Sequence, residues 1–320
     1  MTDPAAAGVT LRPPRPQDAA AVADLMNACS VDDIGIPDTT VAQVERWWRQ
    51  PGFDTRTDAW VAETRDGRVV GYIQVESEGE GGDIQLDGYT HPKFVGKGIG
   101  GRLIDAAERH AVDVAARRGV RPPVKVLHAT WADTAPSRFL RARGYAFARC
   151  FLRMRVDFDG PPPAPAWPEG IGVAGFVPDR DERAFHDCVE EAFEDHWRHS
   201  PRPFDEWRAH KIAQEPDYDG SLWFRAMDGD RMAGAVIARP RGFEEKEAAW
   251  VSDLAVRRPW RGRGIGMALL LHEFGALYER GIRAVMLSVD ADSPTGATRL
   301  YERVGMRVVR RIDVFEKALG

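Results

Sequence analysis

One glycine-rich segment occurs twice in this chain and limits what the chain can fold into. Val95–Leu103 reads VGKGIGGRL, and Arg261–Leu269, which begins 166 residues later, reads RGRGIGMAL. Asp87 and Asp253 correspond at the same offset. Solenoid proteins repeat at much shorter intervals, so one pair of long copies indicates two related domains.

A proline-rich segment lies between the two copies. Residues 160–168 read GPPPAPAWP, and proline both fixes φ and lacks the N–H that a helix or a central strand needs. We therefore predict an N-terminal domain at residues 1–158, an extended linker at 159–169 and a C-terminal domain at 170–320. The total of 320 residues agrees with two domains of ordinary size.

Strand and helix patterns alternate within each copy. This alternation predicts an α/β fold, in which helices flank one sheet per copy. In the second copy the predicted strands cover about residues 222–227, 232–238, a stretch ending at 256, 284–289 and 307–316, and the predicted helices follow the glycine-rich segment and cover about 294–304.

Composition excludes several classes of function. The net charge of −5 gives no broad basic field for nucleic acid. No apolar run approaches the roughly 18 residues that span a membrane. A basic stretch followed by an apolar one is not found after Met1–Pro4, so we expect no leader peptide. Cys29, Cys150 and Cys188 are far apart, which fits neither a metal cage nor a disulfide framework. We expect a cytoplasmic protein without a metal, either a monomer or a homodimer.

Gly262–Gly266 lies between a predicted strand and a predicted helix. Glycines there allow close approach to a ligand, and the N–H groups of a helix N-terminus attract anions such as a pyrophosphate. Arg261 and Arg263 would add charge-assisted hydrogen bonds. The spacing GxGxG differs from the dinucleotide fingerprint GxGxxG, and this disfavours a dinucleotide-binding oxidoreductase.

Two segments of the second copy carry a family resemblance. Val256–Gly266 resembles motif A, (R/Q)xxGx(G/A), of the GNAT superfamily of acyl-CoA-dependent N-acyltransferases, with Arg261, Gly264 and Gly266 at the defining places. Leu300–Met306 resembles the later LYxxxGF signature of that family. The resemblance implies a seven-stranded, mixed and mostly antiparallel sheet per copy. In such a sheet strands four and five separate, and the pantetheine of CoA lies between them.

The resemblance also implies an activity and a set of site residues. The activity is acetyl transfer from acetyl-CoA to the primary amine of a small molecule, by direct attack in a ternary complex. Tyr301 would act as general acid, and Asp253, with Glu247 as second choice, would act as general base. The implied CoA-binding residues are Leu254, Ala255, Val256, Arg261, Gly262, Arg263, Gly264, Ile265, Gly266 and Met267.

The first copy departs from the pattern at two positions. Val95 replaces the Arg or Gln of motif A, and Leu140, which cannot donate a proton, stands in the place of the tyrosine. We expect no catalysis there, although CoA binding stays open because the glycine-rich turn persists. That turn consists of Gly96, Lys97, Gly98, Ile99 and Gly100.

The sequence does not determine the acceptor substrate or the length of the acyl chain. Residues 191–199 and 204–207 of the second copy and Trp47–Trp48 of the first are candidates for the acceptor site, but aromatic residues at helical spacing are more often core. His196 and His199 lack a third ligand for a metal. Alternatives are a CoA-binding sensor without catalysis and a transferase that uses longer acyl-CoA on an antibiotic or peptide amine.

Overall fold

The computed structural model describes residues 8–50, 52–77, 84–242, 244–293 and 295–320. The start of the chain and Pro294, on which two of the predictions above depend, lie outside the described residues. The chain divides into two compact units. The first comprises the chain up to Arg149 together with Ile312–Gly320, and the second comprises Cys150–Arg311.

Twelve strands and eight α-helices are assigned in the described part of the chain. The strands are β1 (Val9–Arg12), β2 (Ala59–Thr64), β3 (Val69–Ser77), β4 (Ile84–Thr90), β5 (Val124–Trp131), β6 (Ala146–Asp157), β7 (Ile171–Gly175), β8 (Trp223–Asp228), β9 (Arg231–Arg239), β10 (Ala249–Val256), β11 (Ala284–Asp290) and β12 (Arg307–Leu319). The helices are α1 (Ala19–Ile34), α2 (Val41–Trp48), α3 (Ile99–Arg117), α4 (Ala135–Ala142), α5 (Glu182–Phe193), α6 (Phe204–Arg208), α7 (Ile265–Glu279) and α8 (Ala297–Arg303).

The first unit is a sheet between two helical layers. Its strands lie in the order β1-β2-β3-β4-β5-β12, and β4 and β5 are parallel while the other pairs are antiparallel. Val61 and Tyr72 pack against α1 and α2 on one face. Ala62 and Ile73, the next residues along the same strands, pack against α3 on the other face, because side chains alternate across a sheet.

The second unit repeats this plan in the order β6-β11-β10-β9-β8-β7, with β10 and β11 parallel. A π-helical turn at Ala209–Ala213 follows α6. Helix α7 buries an apolar stripe that includes Leu270, Phe274 and Leu277 against the sheet. Helices α5 and α6 cover the other face around Phe185.

These elements confirm the predicted α/β class. Each unit contains parts of seven strands among its described residues, the number that the family resemblance implies. Besides the six strands named above, residues 146–149 of β6 belong to the first unit and residues 307–311 of β12 belong to the second. Phe151–Asp157 of β6 closes the sheet of the second unit against β11, and Ile312–Leu319 of β12 closes that of the first against β5.

The predicted linker at residues 159–169 separates the two copies of the sequence repeat, and this division stays a proposal. The compact units are divided differently, because each includes strand residues from both copies. Residues 159–168 form no helix or strand, as the prolines predict. None of the helices in the described ranges has both the length and the apolar character needed to cross a membrane.

Candidate active site

The second glycine-rich segment forms the turn between β10 and α7. Gly262 has φ +75° and Gly264 has φ +88°, a region that other residues adopt only with strain. The first intrahelical bond of α7 runs from Ala268 N to Gly264 O at 3.1 Å. The N–H groups of Ile265, Gly266 and Met267 precede that bond, so they are available to an anion.

Gly266 brings the two family motifs together. A Cβ at this position would lie 3.3 Å from Leu300 Cδ1 and 3.5 Å from Val256 Cγ2. Helix α8, which carries Leu300 and Tyr301, therefore packs directly on the start of α7 and the end of β10. The close approach explains the need for glycine here.

The two arginines of the segment, Arg261 and Arg263, differ in their partners and in their exposure. Arg261 Nε donates to Val256 O at 3.2 Å, its Nη2 donates to Ala192 O at 2.9 Å, and its Nη1 pairs with Asp195 at 2.9 Å. This guanidinium therefore joins the C-terminal end of α5 to the end of β10. Arg263 is more exposed, with 42 % of its side chain accessible, and its Nη1 lies 3.7 Å from a carboxylate oxygen of Asp228.

Strands β10 and β11 separate partway along their length. Ala249–Val251 pairs in parallel with Val285–Leu287, and the pairing ends there. On its other edge β10 stays paired with β9 as far as Val256. The gap between strands four and five of this copy agrees with the separation that the family resemblance implies.

The edge of β10 that faces this gap presents two N–H groups. Arg257 N donates to Ala233 O of β9 at 3.0 Å, so its N–H points toward β9. Successive N–H groups of a strand point to opposite sides. Those of Val256 and Leu254 therefore point toward the gap.

A β-bulge interrupts β10 at Ser252. Val251 pairs with Ala238 and Asp253 pairs with Ile237, so Ser252 is an extra residue that the strand register leaves unpaired. Its Oγ lies 3.3 Å from Ile237 O of β9. Ser252 is exposed at this point. Bulges redirect side chains and free backbone groups, and they are frequent beside active sites.

The first copy has no bulge at the corresponding place. Leu86 pairs with Val75 and Asp87 pairs with Gln74 in an unbroken register. Matching the paired residues of the two copies shows that Ser252 is an insertion of one residue in the second. The two glycine-rich turns are otherwise alike, since Gly96 and Gly98 have φ +81° and +75°.

The surroundings of Asp87 also differ from those of Asp253. Trp48 Nε1 donates to Tyr72 Oη at 2.8 Å, and Tyr72 Oη donates to Gln74 Oε1 at 2.5 Å. Gln74 in turn donates to Glu76. Burial, and then the charge of Glu76, raise the pKa of Asp87 to about 7. A series of hydrogen bonds that ends at the carboxylate of Glu76 therefore lies beside Asp87 in the first unit. Leu140, at the position that corresponds to Tyr301, is buried in the core of that unit.

Tyr301 lies in α8 and is buried, with 8 % of the residue exposed. No hydrogen bond to its hydroxyl is found among the described residues. Burial, and then the negative charge of Asp253, raise the pKa of the Tyr301 phenol above its usual value. The hydroxyl therefore keeps its proton at neutral pH and can donate it to a ligand.

Asp253 is held by two neighbours. Lys211 Nζ, from the π-helical turn, forms an ion pair with Asp253 Oδ2. Ser252 Oγ donates to the same oxygen at 2.7 Å. Both contacts are made to the same carboxylate oxygen, Oδ2. Glu247, the second choice as base, is exposed in the turn before β10 and does not line the cavity described next.

A cavity of about 220 Å³ opens beside this ion pair. It lies between the π-helical turn and strands β8, β9 and β10, so Lys211 and Ser252 connect it to Asp253. Aromatic side chains form much of its wall. The lining residues are His210, Lys211, Glu215, Tyr218, Trp223, Ile237, Ala238, Arg239, Trp250 and Ser252.

The sequence analysis did not identify the residues of this cavity. Most come from a π-helical turn and from strand positions whose type fits an ordinary core. The one available signal is the extra residue in Trp250–Asp253 relative to Gln85–Asp87 of the first copy, which breaks the offset between the copies.

The acceptor-site candidates from the sequence have other partners. Trp207 is buried in the core beside Phe204 and Trp223. Glu191 pairs with Arg257 at 3.3 Å. His199 Nε2 lies 3.3 Å from a carboxylate oxygen of Glu190. Within the described ranges no group of three His, Cys, Asp or Glu side chains is placed to hold a metal.

Comparisons with known proteins agree on one family. Residues 171–306 match the family described as "Acetyltransferase (GNAT) family", and residues 55–146 match "Acetyltransferase (GNAT) domain". A mycothiol acetyltransferase of Thermobispora bispora is 34 % identical over 68 % of this chain and 70 % of its own length. Another, of Geodermatophilus obscurus, is 33 % identical over 77 % of both.

Solved structures give the same result. A GCN5-related N-acetyltransferase from Sphaerobacter thermophilus is 37 % identical, with a TM-score of 0.80 over 97 % of this chain and 95 % of that one. A tandem GNAT protein from the clavulanic acid biosynthesis pathway has a TM-score of 0.73 over 98 % and 99 %. At 18 % identity, the second likeness concerns the fold alone.

Proposed function

Because the chain belongs to the GNAT family of N-acetyltransferases, we propose that its second unit transfers an acetyl group from acetyl-CoA to the primary amine of a small molecule. The observation that carries this proposal is the interruption of β10. Its pairing with β11 ends at Val251, and Ser252 bulges toward a cavity. The glycine-rich turn and Tyr301 lie at the same end of the strand, joined by the contact of Gly266 with α8.

The residues of the second unit fit CoA. The N–H groups of Ile265, Gly266 and Met267 would bind the pyrophosphate, since they point from a helix N-terminus without intrahelical acceptors. The N–H groups of Leu254 and Val256 face the gap, where they would bind pantetheine amides and the thioester carbonyl oxygen. Acetyl-CoA, when bound, supplies an activated acetyl thioester.

Tyr301 would donate its proton to the departing sulfur. Its buried phenol stays protonated at neutral pH, so the hydroxyl is always a donor, and the proton that it gives up is replaced from solvent. Asp253, predicted from the sequence as the base, would have to release Lys211 before it could accept a proton. We assign Asp253 the role of holding Lys211 at the edge of the cavity.

We propose that the first unit is a structural copy without catalysis. It lacks the bulge and a proton donor at Leu140, although its glycine-rich turn keeps the backbone form of the second. For the acceptor, the mycothiol acetyltransferases among the relatives support a small-molecule amine. The same relatives support an acetyl group in preference to a longer acyl chain.

The test of this proposal is the variant Tyr301→Phe. We expect its acetyl-CoA-dependent thiol release over an amine panel to fall by about 100-fold or more, because a general acid typically raises the rate by at least that factor. Acetyl-CoA should still bind. Tyr278→Phe is the matched control, because Tyr278 packs on Arg283 and Phe158 away from the turn. Unchanged turnover in Tyr301→Phe, or loss of acetyl-CoA binding along with turnover, contradicts the assigned role.

A further inference from the structure

The proposed reaction needs a group that removes a proton from the acceptor, and the present inference rests on that proposed function. An alkyl ammonium has a pKa near that of lysine, about 10.4. At neutral pH the amine therefore arrives protonated and lacks the lone pair that forms the new bond. A proton acceptor beside the acceptor site must be unprotonated at neutral pH and have an open lone pair.

Most titratable groups of the cavity do not meet this requirement. Lys211 is bound to Asp253. Glu215 accepts from Arg239 Nη1 at 3.0 Å and from Asp217 N at 3.1 Å. Burial raises the pKa of the Tyr218 phenol, so this hydroxyl keeps its proton.

His210 does meet the requirement. It lines the cavity from the π-helical turn, and no hydrogen bond to its ring is found among the described residues. Desolvation, and then the charges of Arg202 and Lys211, lower the pKa of His210, while Glu215 and Asp253 act in the opposite direction. The imidazole is therefore neutral at pH 7. Irregular helical turns of this kind are frequent at functional sites.

The other charges around the cavity are already balanced. Lys211 forms an ion pair with Asp253, and Arg239 forms one with Glu215. The cavity therefore does not favour a ligand whose main part, apart from its reacting amine, carries a strong charge of either sign. Its aromatic wall suits a flat or apolar group. Its size, about 220 Å³, is below the usual range for drug-sized ligands, which limits it to a small acceptor.

We propose that this cavity binds the acceptor, a small primary amine with a flat or apolar body, and that the imidazole of His210 takes the proton of its ammonium group. The amine nitrogen then forms a bond to the acetyl carbon while the bond from that carbon to sulfur breaks. One proton leaves through His210 to solvent. The second nitrogen proton passes to solvent as the amide forms. Tyr301 gives its proton to the sulfur and is reprotonated from solvent.

The test compares His210→Gln with the wild-type enzyme on one amine across a range of pH. At pH 7 we expect kcat/KM for the amine to fall by about tenfold or more. We expect added imidazole, or a pH high enough to deprotonate the amine, to restore much of the rate. KM for acetyl-CoA should not change. His272→Gln is the matched control, since His272 packs on Trp167 and Phe224 outside the cavity.

Two outcomes would overturn the inference in different ways. A His210→Gln enzyme with the wild-type rate and pH profile, in a protein that Tyr301→Phe inactivates, refutes the role of His210 and leaves the proposed function intact. Wild-type protein that releases no thiol with any amine of the panel refutes the proposed function itself.

Discussion

Two buried acids of the second unit, Tyr301 and Glu273, differ in what surrounds them. The charge of Asp253 acts on Tyr301, which follows Leu300, the residue that approaches Gly266. Glu273 lies on the apolar face of α7 with none of its surface exposed, and neither carboxylate oxygen has a hydrogen-bond partner in the described part of the chain. The family signature made Tyr301 predictable. Nothing in the sequence distinguishes Glu273 from a solvated glutamate, because its burial depends on how α7 rotates on the sheet.

We predict that Glu273→Gln flattens the pH dependence of stability. Burial raises the pKa of this carboxyl well above its usual 4.5, so above that pH the folded protein keeps a proton that the unfolded chain has lost. Stability therefore falls as pH rises, by up to about 1.4 kcal/mol per pH unit. Glutamine removes this loss, and urea unfolding between about pH 5 and 8 measures it. Glu279→Gln, on the exposed end of α7, should keep the wild-type slope; equal slopes in all three proteins would contradict the prediction.

At the scale of elements, the bulge in β10 distinguishes the copies more clearly than any single side chain. The strand, the turn and the helix were all predictable, because glycine spacing and apolar periodicity are local signals. The bulge was not. The one-residue insertion relative to the first copy signals a difference between the copies, but strand pairing is needed to show that it changes the register of β10.

We predict that deletion of Ser252 converts β10 to the continuous register of β4. Turnover should fall by about 100-fold or more, because the backbone donors at the gap lose their placement. Acetyl-CoA affinity should change much less, since the turn at Gly262–Gly266 stays intact. Calorimetric titration and thiol release measure the two effects.

Ser252→Gly is the matched variant for this deletion. It keeps the chain length, and with it the bulge, and removes only the hydroxyl that bonds Asp253. We expect turnover near the wild-type value. A deletion variant that folds, as shown by its melting curve, and turns over at the wild-type rate would refute the role of the bulge.

For the whole molecule, the sequence repeat correctly indicated two related GNAT units, and the predicted acetyltransferase class is confirmed by the family. The sequence did not allow us to predict which sheet the strand after the last helix of each copy joins. β6 and β12 follow equivalent helices, and neighbouring strands along a chain usually pair. In the structure β6 pairs with β11 and β12 pairs with β5. Alternating side chains specify that a segment is a strand, but not which of two similar edges it joins.

The inequality of the two copies is the central claim, and one paired measurement tests it most directly. Gly98 and Gly264 precede α3 and α7 with φ +75° and +88°, so alanine at either position costs a similar stability, about 1–2 kcal/mol. We predict that Gly264→Ala lowers thiol release at limiting acetyl-CoA by about tenfold or more, while Gly98→Ala stays close to the wild-type rate. Equal loss in the two variants, or loss in Gly98→Ala alone, would contradict the assignment of catalysis to the second unit.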